Sequence, residues 1–362
     1  MQTRSSNIAR TLGLALLGGA ACWALVRQKR RIPLRGAVAV VTGGGRGLGY
    51  AIARELATAG CKLALCGRDG QTIARAVWAL RGRGVEVMGR ACDLSDEVEA
   101  RKFIDDVVEH YGRIDVLINN AAQCFVGPAV ELHAQDVEYA LRNIFWTQFF
   151  PTMAVLPHMR RQRAGRIVNV TSIGGKFPTP HQAAYAAGKF AATGWSETLA
   201  VELRKDGIHV STVTPPPLSD GAPLHAHFNG RAEDEFVWFA RTLTSPLRAI
   251  SAQRTARAVV SAARYGDAER AVSAAAWFAS RLQGSAPNLV SRVLSAVDRR
   301  LPAAGPPGVR SRMRLGMDVV ADSEDARVRA LGRAAHADEL RNLPQPTSKP
   351  EAPSAALLEL GK

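Results

Sequence analysis

Short apolar, valine-rich runs recur along the chain, and the segments between them return apolar residues at every third or fourth position. The first run starts at Ala37 (AVAVVT) and leads through a glycine cluster into an Ala/Leu-rich stretch from Leu48 to Ala59. Others stand at Lys62–Cys66, Val85–Met88, Ile114–Ile118, Arg166–Val170 and Ile208–Val213. Short continuous apolar runs read as strands buried on both faces, and the longer periodic segments read as helices. Their alternation predicts an α/β fold, a doubly wound parallel sheet forming one main domain over residues 36–265. Beyond it, Leu289, Val290, Val293, Leu294, Val297 and Leu301 recur at helical spacing among Arg292, Arg299 and Arg300, predicting a basic amphipathic helix over Pro287–Leu301. Such a helix rests on a membrane or packs on protein. A proline- and glycine-rich break follows at 302–308, then a helical stretch from Ser323 to Leu343. Residues 266–343 thus read as a partly helical C-terminal extension, and 344–362, bearing Pro and Ser, as a disordered tail.

Residues 1–35 stand apart. Thr11–Val26 is uncharged and ends at the basic cluster Arg27, Lys29, Arg30 and Arg31. At about 1.5 Å per residue it reaches about 24 Å, short of a hydrocarbon core of about 30 Å. The heavier positive charge follows the run, which favours an uncleaved anchor with residues 27 onward facing the cytoplasm. A cleaved signal peptide and a helix lying on the membrane surface are the alternatives.

The formal net charge is +15, from 47 Lys+Arg against 32 Asp+Glu. The arginines are dispersed and lack an interleaved aromatic platform, so nucleic acid is not an expected partner. The five cysteines include no C-x-x-C pair, and His225 and His227 have no partners at metal-ligand spacing, so neither a disulfide framework nor a metal site is expected.

Thr42-Gly43-Gly44-Gly45-Arg46-Gly47-Leu48-Gly49 follows the first strand. Glycines there permit a tight turn and close approach to a pyrophosphate, whose charge meets the helix N-terminus, as in Rossmann-like folds. Past the second strand, where an acidic residue would bind a ribose hydroxyl, stand Gly67 and Arg68. With Arg46, Arg68 suits a 2′-phosphate, so NADP(H) is preferred, NAD(H) remaining the alternative because Asp69 is near. Tyr185 and Lys189 share a helix face one turn apart, where the cation is expected to lower the phenol pKa toward neutrality. Ser172 follows the strand Arg166–Val170, placed to stabilise an oxyanion or to cap a turn.

Together these residues resemble the classical short-chain dehydrogenase/reductase family over about Gly36–Tyr265. The matches are TGGGRGLG at 42–49, Asp93-Leu94, Asn119-Asn120-Ala121-Ala122, Asn143, Ser172, Tyr185 and Lys189. The resemblance implies that Tyr185 is the acid/base, Ser172 orients substrate, Lys189 perturbs Tyr185 and holds the nicotinamide ribose, and Asn143 completes a proton relay. It places Gly43, Gly45, Arg46, Gly47, Leu48, Gly49, Arg68, Asp93, Leu94, Asn120, Tyr185, Lys189 and Pro215 at the cofactor. It also implies a homo-oligomer and a substrate lid at 216–250, where Leu218, Phe228, Phe236, Trp238, Phe239 and Leu243 either suit a lipophilic alcohol, ketone or aldehyde or pack on the core or a partner subunit. The family's Pro-Gly after the sixth strand is replaced by Pro215-Pro216-Pro217, with Ser219 in reach of the place of its following Thr. The reading is an NADP(H)-dependent oxidoreductase acting on alcohol and carbonyl groups, with an NAD(P)-binding sensor or scaffold as the alternative.

Overall fold

The structure, a computed structural model, describes residues 25–245, 249–305 and 312–344. Seven parallel strands form the central sheet: β1 (Val38–Thr42), β2 (Lys62–Gly67), β3 (Val87–Ala91), β4 (Val116–Asn119), β5 (Gly165–Val170), β6 (Ile208–Thr214) and β7 (Glu269–Ala271). Their order across the sheet is β7-β6-β5-β4-β1-β2-β3. The first six agree with the apolar runs within a few residues. β3 starts at Val87 because the Val85 N–H bonds back to the Leu80 carbonyl at 3.2 Å, closing the preceding helix. β7 is a short edge strand that carries the sheet past the expected boundary at residue 265.

The helices are α1 (Gly47–Thr58), α2 (Gly70–Arg81), α3 (Glu97–Tyr111), α4 (Ala134–Leu141), α5 (Thr147–Gln162), α6 (Ala183–Glu202), α7 (Ala222–His225), α8 (Ala232–Leu243), α9 (Ala252–Tyr265), α10 (Ala274–Ser285), α11 (Pro287–Asp298), α12 (Gly316–Asp322) and α13 (Ala326–Arg341). Every residue of β1 is buried, and its side chains alternate between two cores. Ala39 and Val41 pack with α1, α2 and α9, whereas Val38 and Val40 pack with α3, α5 and α6. This is the period-2 geometry of a strand covered on both faces.

The C-terminal extension folds back on the 216–250 segment. Arg314–Leu315 pairs antiparallel with His227–Phe228, which pairs in parallel with Phe125–Val126. Beneath this ribbon, Phe228, Phe236 and Phe239 share a core with Val319 of α12 and Val328 of α13.

At the other end of the described chain, Arg27 binds Asp267 at 2.9 Å and stacks over the Tyr265 ring at 3.8 Å. The expected anchor lies outside the described residues except for Leu25 and Val26, and the 345–362 stretch of the tail also lies outside them. Among the described residues, no helix is long and apolar enough to cross a membrane.

Candidate active site

The chain order reverses between β1 and β4, and in such sheets ligands bind where the strand ends diverge. Asn120 ties these ends together: its N–H donates to Thr42 Oγ1 at 2.8 Å and its Nδ2 to the Thr42 carbonyl at 3.0 Å. A cleft of about 1450 Å³ opens there, and every residue named above for a catalytic or cofactor role lines it. In the glycine loop, Gly47 has φ +53°, and a Cβ on Gly49 would lie 1.9 Å from the Gly43 carbonyl oxygen. The loop therefore packs on its helix through bare backbone. Arg46, the N-cap of α1, makes no side-chain cap bond, so the first amides of this helix face the cleft without a side-chain acceptor. That end fits a pyrophosphate.

At the expected adenosine end, Asp69 is committed to capping α2. It accepts from Gln71 N–H at 3.0 Å and Thr72 N–H at 3.2 Å, and the Thr72 hydroxyl chiefly holds its carboxyl below the ordinary value. Asp93 is likewise held in a turn, accepting from Ser95 N–H at 2.9 Å, and Leu94 is buried beside it. The groups left facing the cleft are cationic: Arg46, Arg68 and Arg75. Arg68 Nη1 donates to Asn143 Oδ1 at 3.0 Å.

At the chemical end, Tyr185 and Lys189 stand one turn apart on α6. Lys189 Nζ donates to the Val170 carbonyl at 3.2 Å and lies 5.8 Å from the Tyr185 ring centroid. Ser172 follows β5; its Oγ accepts from Gly174 N–H at 3.1 Å, and its hydroxyl stands beside the Tyr185 phenol, favouring the phenolate. The turn cap and the cleft-lining hydroxyl are thus the same group. Asn143 sits in a π-helical turn, Arg142–Trp146, between α4 and α5, with its Nδ2 donating to the Tyr139 carbonyl at 2.8 Å. Such turns frequently mark functional sites.

The electrostatics differ from the expectation for the tyrosine. Burial, with a smaller contribution from Cys124, pushes the Tyr185 phenol well above its ordinary value, and only the Ser172 hydrogen bond works the other way. Burial lowers Lys189 to about 8. Desolvation of the buried phenol sets the direction of its shift.

The proline-rich loop and the lid also depart from expectation. Pro215, Pro216 and Pro217 all line the cleft and present no N–H to it. Asp220, not Ser219, reaches the cleft; Ser219 pairs instead with Ser251 in a short outer ribbon. Burial pushes Asp220 up to about 6. In the lid, Phe228 and Phe236 are fully buried in its own core, and Leu218, Val237, Trp238, Phe239 and Leu243 face the cleft.

Two links escaped sequence reading because they join distant residues. Glu339 of α13 binds His225 Nε2 at 2.7 Å and Arg46 Nη1 at 3.4 Å, strapping the C-terminal helix over lid and glycine loop. Glu235 on α8, fully buried, meets His181 Nδ1 at 2.8 Å and accepts from Trp238 Nε1 at 2.5 Å. His181 has φ +59°, an unfavourable region for its side chain, four residues before Tyr185. Cys124 lines the cleft with its thiol pushed up to about 12 by burial. Among the described residues, no cluster is built to hold a metal ion.

This constellation matches known proteins. The short chain dehydrogenase family model matches residues 37–226, more than half of the chain. A putative ketoacyl reductase of the granaticin polyketide synthase of Streptomyces violaceoruber is 37% identical over 180 residues, 49% of this chain and 66% of that one. The putative oxidoreductase SadH of Mycobacterium tuberculosis is 30% identical over 272 residues, 75% of this chain and 95% of that one. A solved short chain dehydrogenase/reductase of Burkholderia phymatum, in complex with NAD, superposes with a TM-score of 0.64 at 25% identity, covering 77% of this chain and 100% of that one. The cleft at the sheet's switch point, the Ser172, Tyr185 and Lys189 set within it and these likenesses converge: the chain belongs to the short-chain dehydrogenase/reductase family and is an NAD(P)-dependent oxidoreductase.

Proposed function

We propose that the protein is an NADP(H)-dependent reductase that interconverts carbonyl and alcohol groups on a lipophilic substrate. The observation that carries this is the joining, in one cleft, of a buried phenol with raised proton affinity to Ser172, Lys189 and Asn143. Bound nicotinamide supplies or accepts the hydride. Ser172 Oγ–H donates a hydrogen bond to the substrate oxygen, and Tyr185 passes its phenolic proton to that oxygen as charge develops. The raised phenol pKa means that the proton is in place for carbonyl reduction at neutral pH. Lys189 stabilises the phenolate left behind, and Asn143 holds the relay through which the proton is restored.

The preference for NADP(H) rests on Arg46, Arg68 and Arg75 at the adenosine end and on Asp69 being spent as a cap. The lipophilic substrate rests on Leu218, Val237, Trp238, Phe239 and Leu243 facing the cleft. Two positional proposals accompany these. Thr11–Val26 anchors the protein with residues 27 onward in the cytoplasm. A homo-oligomer forms through α5 and α6, where Phe149 and Trp195 rings lie 5.4 Å apart and Trp146, Met153 and Phe190 are exposed.

Fluorescence titration with NADPH and NADH, followed by turnover of lipophilic ketones and aldehydes, tests the reading. Tighter NADPH binding with carbonyl reduction is expected. Binding with no turnover in either direction would favour the sensor or scaffold.

A further inference from the structure

The helices α10 and α11 are at once solvent-facing and apolar. On α10, Trp277, Phe278 and Leu282 are 43%, 65% and 47% exposed; Phe278 and Leu282 lie on the side away from the buried Ala276, and Trp277 flanks it. On α11, Leu289 and Val293 are 54% and 55% exposed, whereas Val290 is buried against the fold. Between Ala271 and Leu301 the only acidic residue is Asp298, against the exposed Arg292, Arg299 and Arg300; the exposed Arg281 pairs with Glu269 at 2.8 Å. The end of α11 forms part of the cleft's wall: Leu294, Val297 and Leu301 line it, and Asp298 Oδ1 lies 3.7 Å from His181 Nε2, close to Tyr185 in the chain.

We propose that the α10–α11 face docks on an anionic lipid bilayer and holds the cleft at the membrane surface, so that a lipophilic substrate passes between bilayer and active site. Exposed Trp, Phe and Leu with arginines reaching outward are the chemistry of an interfacial helix pair. The arginines complement anionic headgroups. They oppose a second copy on the same face, because a twofold contact sets this cationic patch against itself. The docking stands on the exposed surface alone; the delivery of substrate rests on the reductase reading.

The test uses the full chain with phosphatidylglycerol/phosphatidylcholine vesicles carrying brominated acyl chains, which quench tryptophans that enter the apolar layer. Comparison with Trp277→Phe isolates Trp277 from Trp23 in the N-terminal run. The expected result is that Trp277→Phe removes a quenchable part of the fluorescence, and that Arg292→Gln with Arg299→Gln shifts the docking of Trp277 about 30-fold toward the undocked state, read as loss of that part whether or not the N-terminal run is inserted. Equal quenching of the parent and Trp277→Phe would overturn the docking. So would sedimentation in which Phe278→Glu breaks a dimer while brominated lipid leaves Trp277 untouched.

For delivery, Phe278→Glu with Leu289→Glu is expected to raise KM for a carbonyl dissolved in vesicles and to leave kinetics on a water-soluble carbonyl unchanged. An equal change on both substrates would overturn delivery. A parent that is quenched by brominated lipid but reduces no carbonyl would overturn the reductase reading and leave the docking standing.

Discussion

The electrostatics of the Tyr185–Lys189 pair predict the shape of the pH–rate profile. In the reductive direction the phenol must be protonated, and burial keeps it so throughout the accessible range. The group that titrates is Lys189, held down to about 8 by burial. Its ammonium form is the active one, since its charge stabilises the phenolate formed when the proton leaves. A lysine at about 8 is about 90% charged at pH 7 and about 10% charged at pH 9, so kcat/KM for carbonyl reduction falls about tenfold between those values and by a further factor of about ten per pH unit above. The quantity to measure is kcat/KM, because it reports the groups of the free enzyme. Initial rates of NADPH oxidation with a non-ionising ketone supply it. Lys189→Arg shifts the descending limb upward, out of range, since a guanidinium stays charged. Lys189→Met removes the limb and lowers the rate at every pH by about 100-fold or more. A profile flat to pH 10 in the parent, or a limb that persists in Lys189→Met, would refute the assignment.

Other consequences are as direct. Arg46→Ala and Arg68→Ala should each weaken NADPH binding by about 10- to 100-fold through loss of a charge-assisted contact, with little change for NADH; equal losses for both cofactors in titration would show that the arginines do not read the 2′-phosphate. Glu339→Gln frees Arg46 from its partly exposed ion pair, and NADPH affinity should rise by about two- to fivefold, whereas a fall would mean that the strap positions Arg46 instead of competing for it. Glu235→Ala leaves the partly buried His181 and Trp238 donors without their acceptor and should cost about 1–2 kcal/mol in urea unfolding. An unchanged midpoint would remove the Glu235 link from the account.

That Ser172, Tyr185 and Lys189 share one cleft was legible in the sequence because the determinants are local. Strand runs, a glycine turn and a Tyr–Lys pair one helical turn apart each lie within a few residues, and the parallel sheet brings the strand ends together. β7 escaped because Glu269 and Arg270 break any apolar pattern in a three-residue edge strand. The α10 helix was not singled out, its large apolar residues facing outward and not forming a core stripe. The 216–250 segment was half legible: its aromatic content was plain, but that Phe228, Phe236 and Phe239 share a core while Trp238 and Phe239 also reach the cleft depends on its packing against α12 and α13. The contacts of Arg46 with Glu339 and of His181 with Glu235 join residues far apart in sequence and leave no periodic trace. The phenol's raised proton affinity depends on burial around the pair, which the spacing of Tyr185 and Lys189 does not contain.

The central claim is that Tyr185 transfers the proton in carbonyl reduction within an intact dinucleotide site. Its most direct test measures NADPH oxidation by the full chain and by Tyr185→Phe across a panel of lipophilic ketones and aldehydes, with NADPH binding titrated in both. The account predicts turnover in the parent, none in the variant, and nearly equal NADPH affinity, because the lost hydroxyl lies at the chemical end of the cleft. Turnover retained by Tyr185→Phe would contradict it.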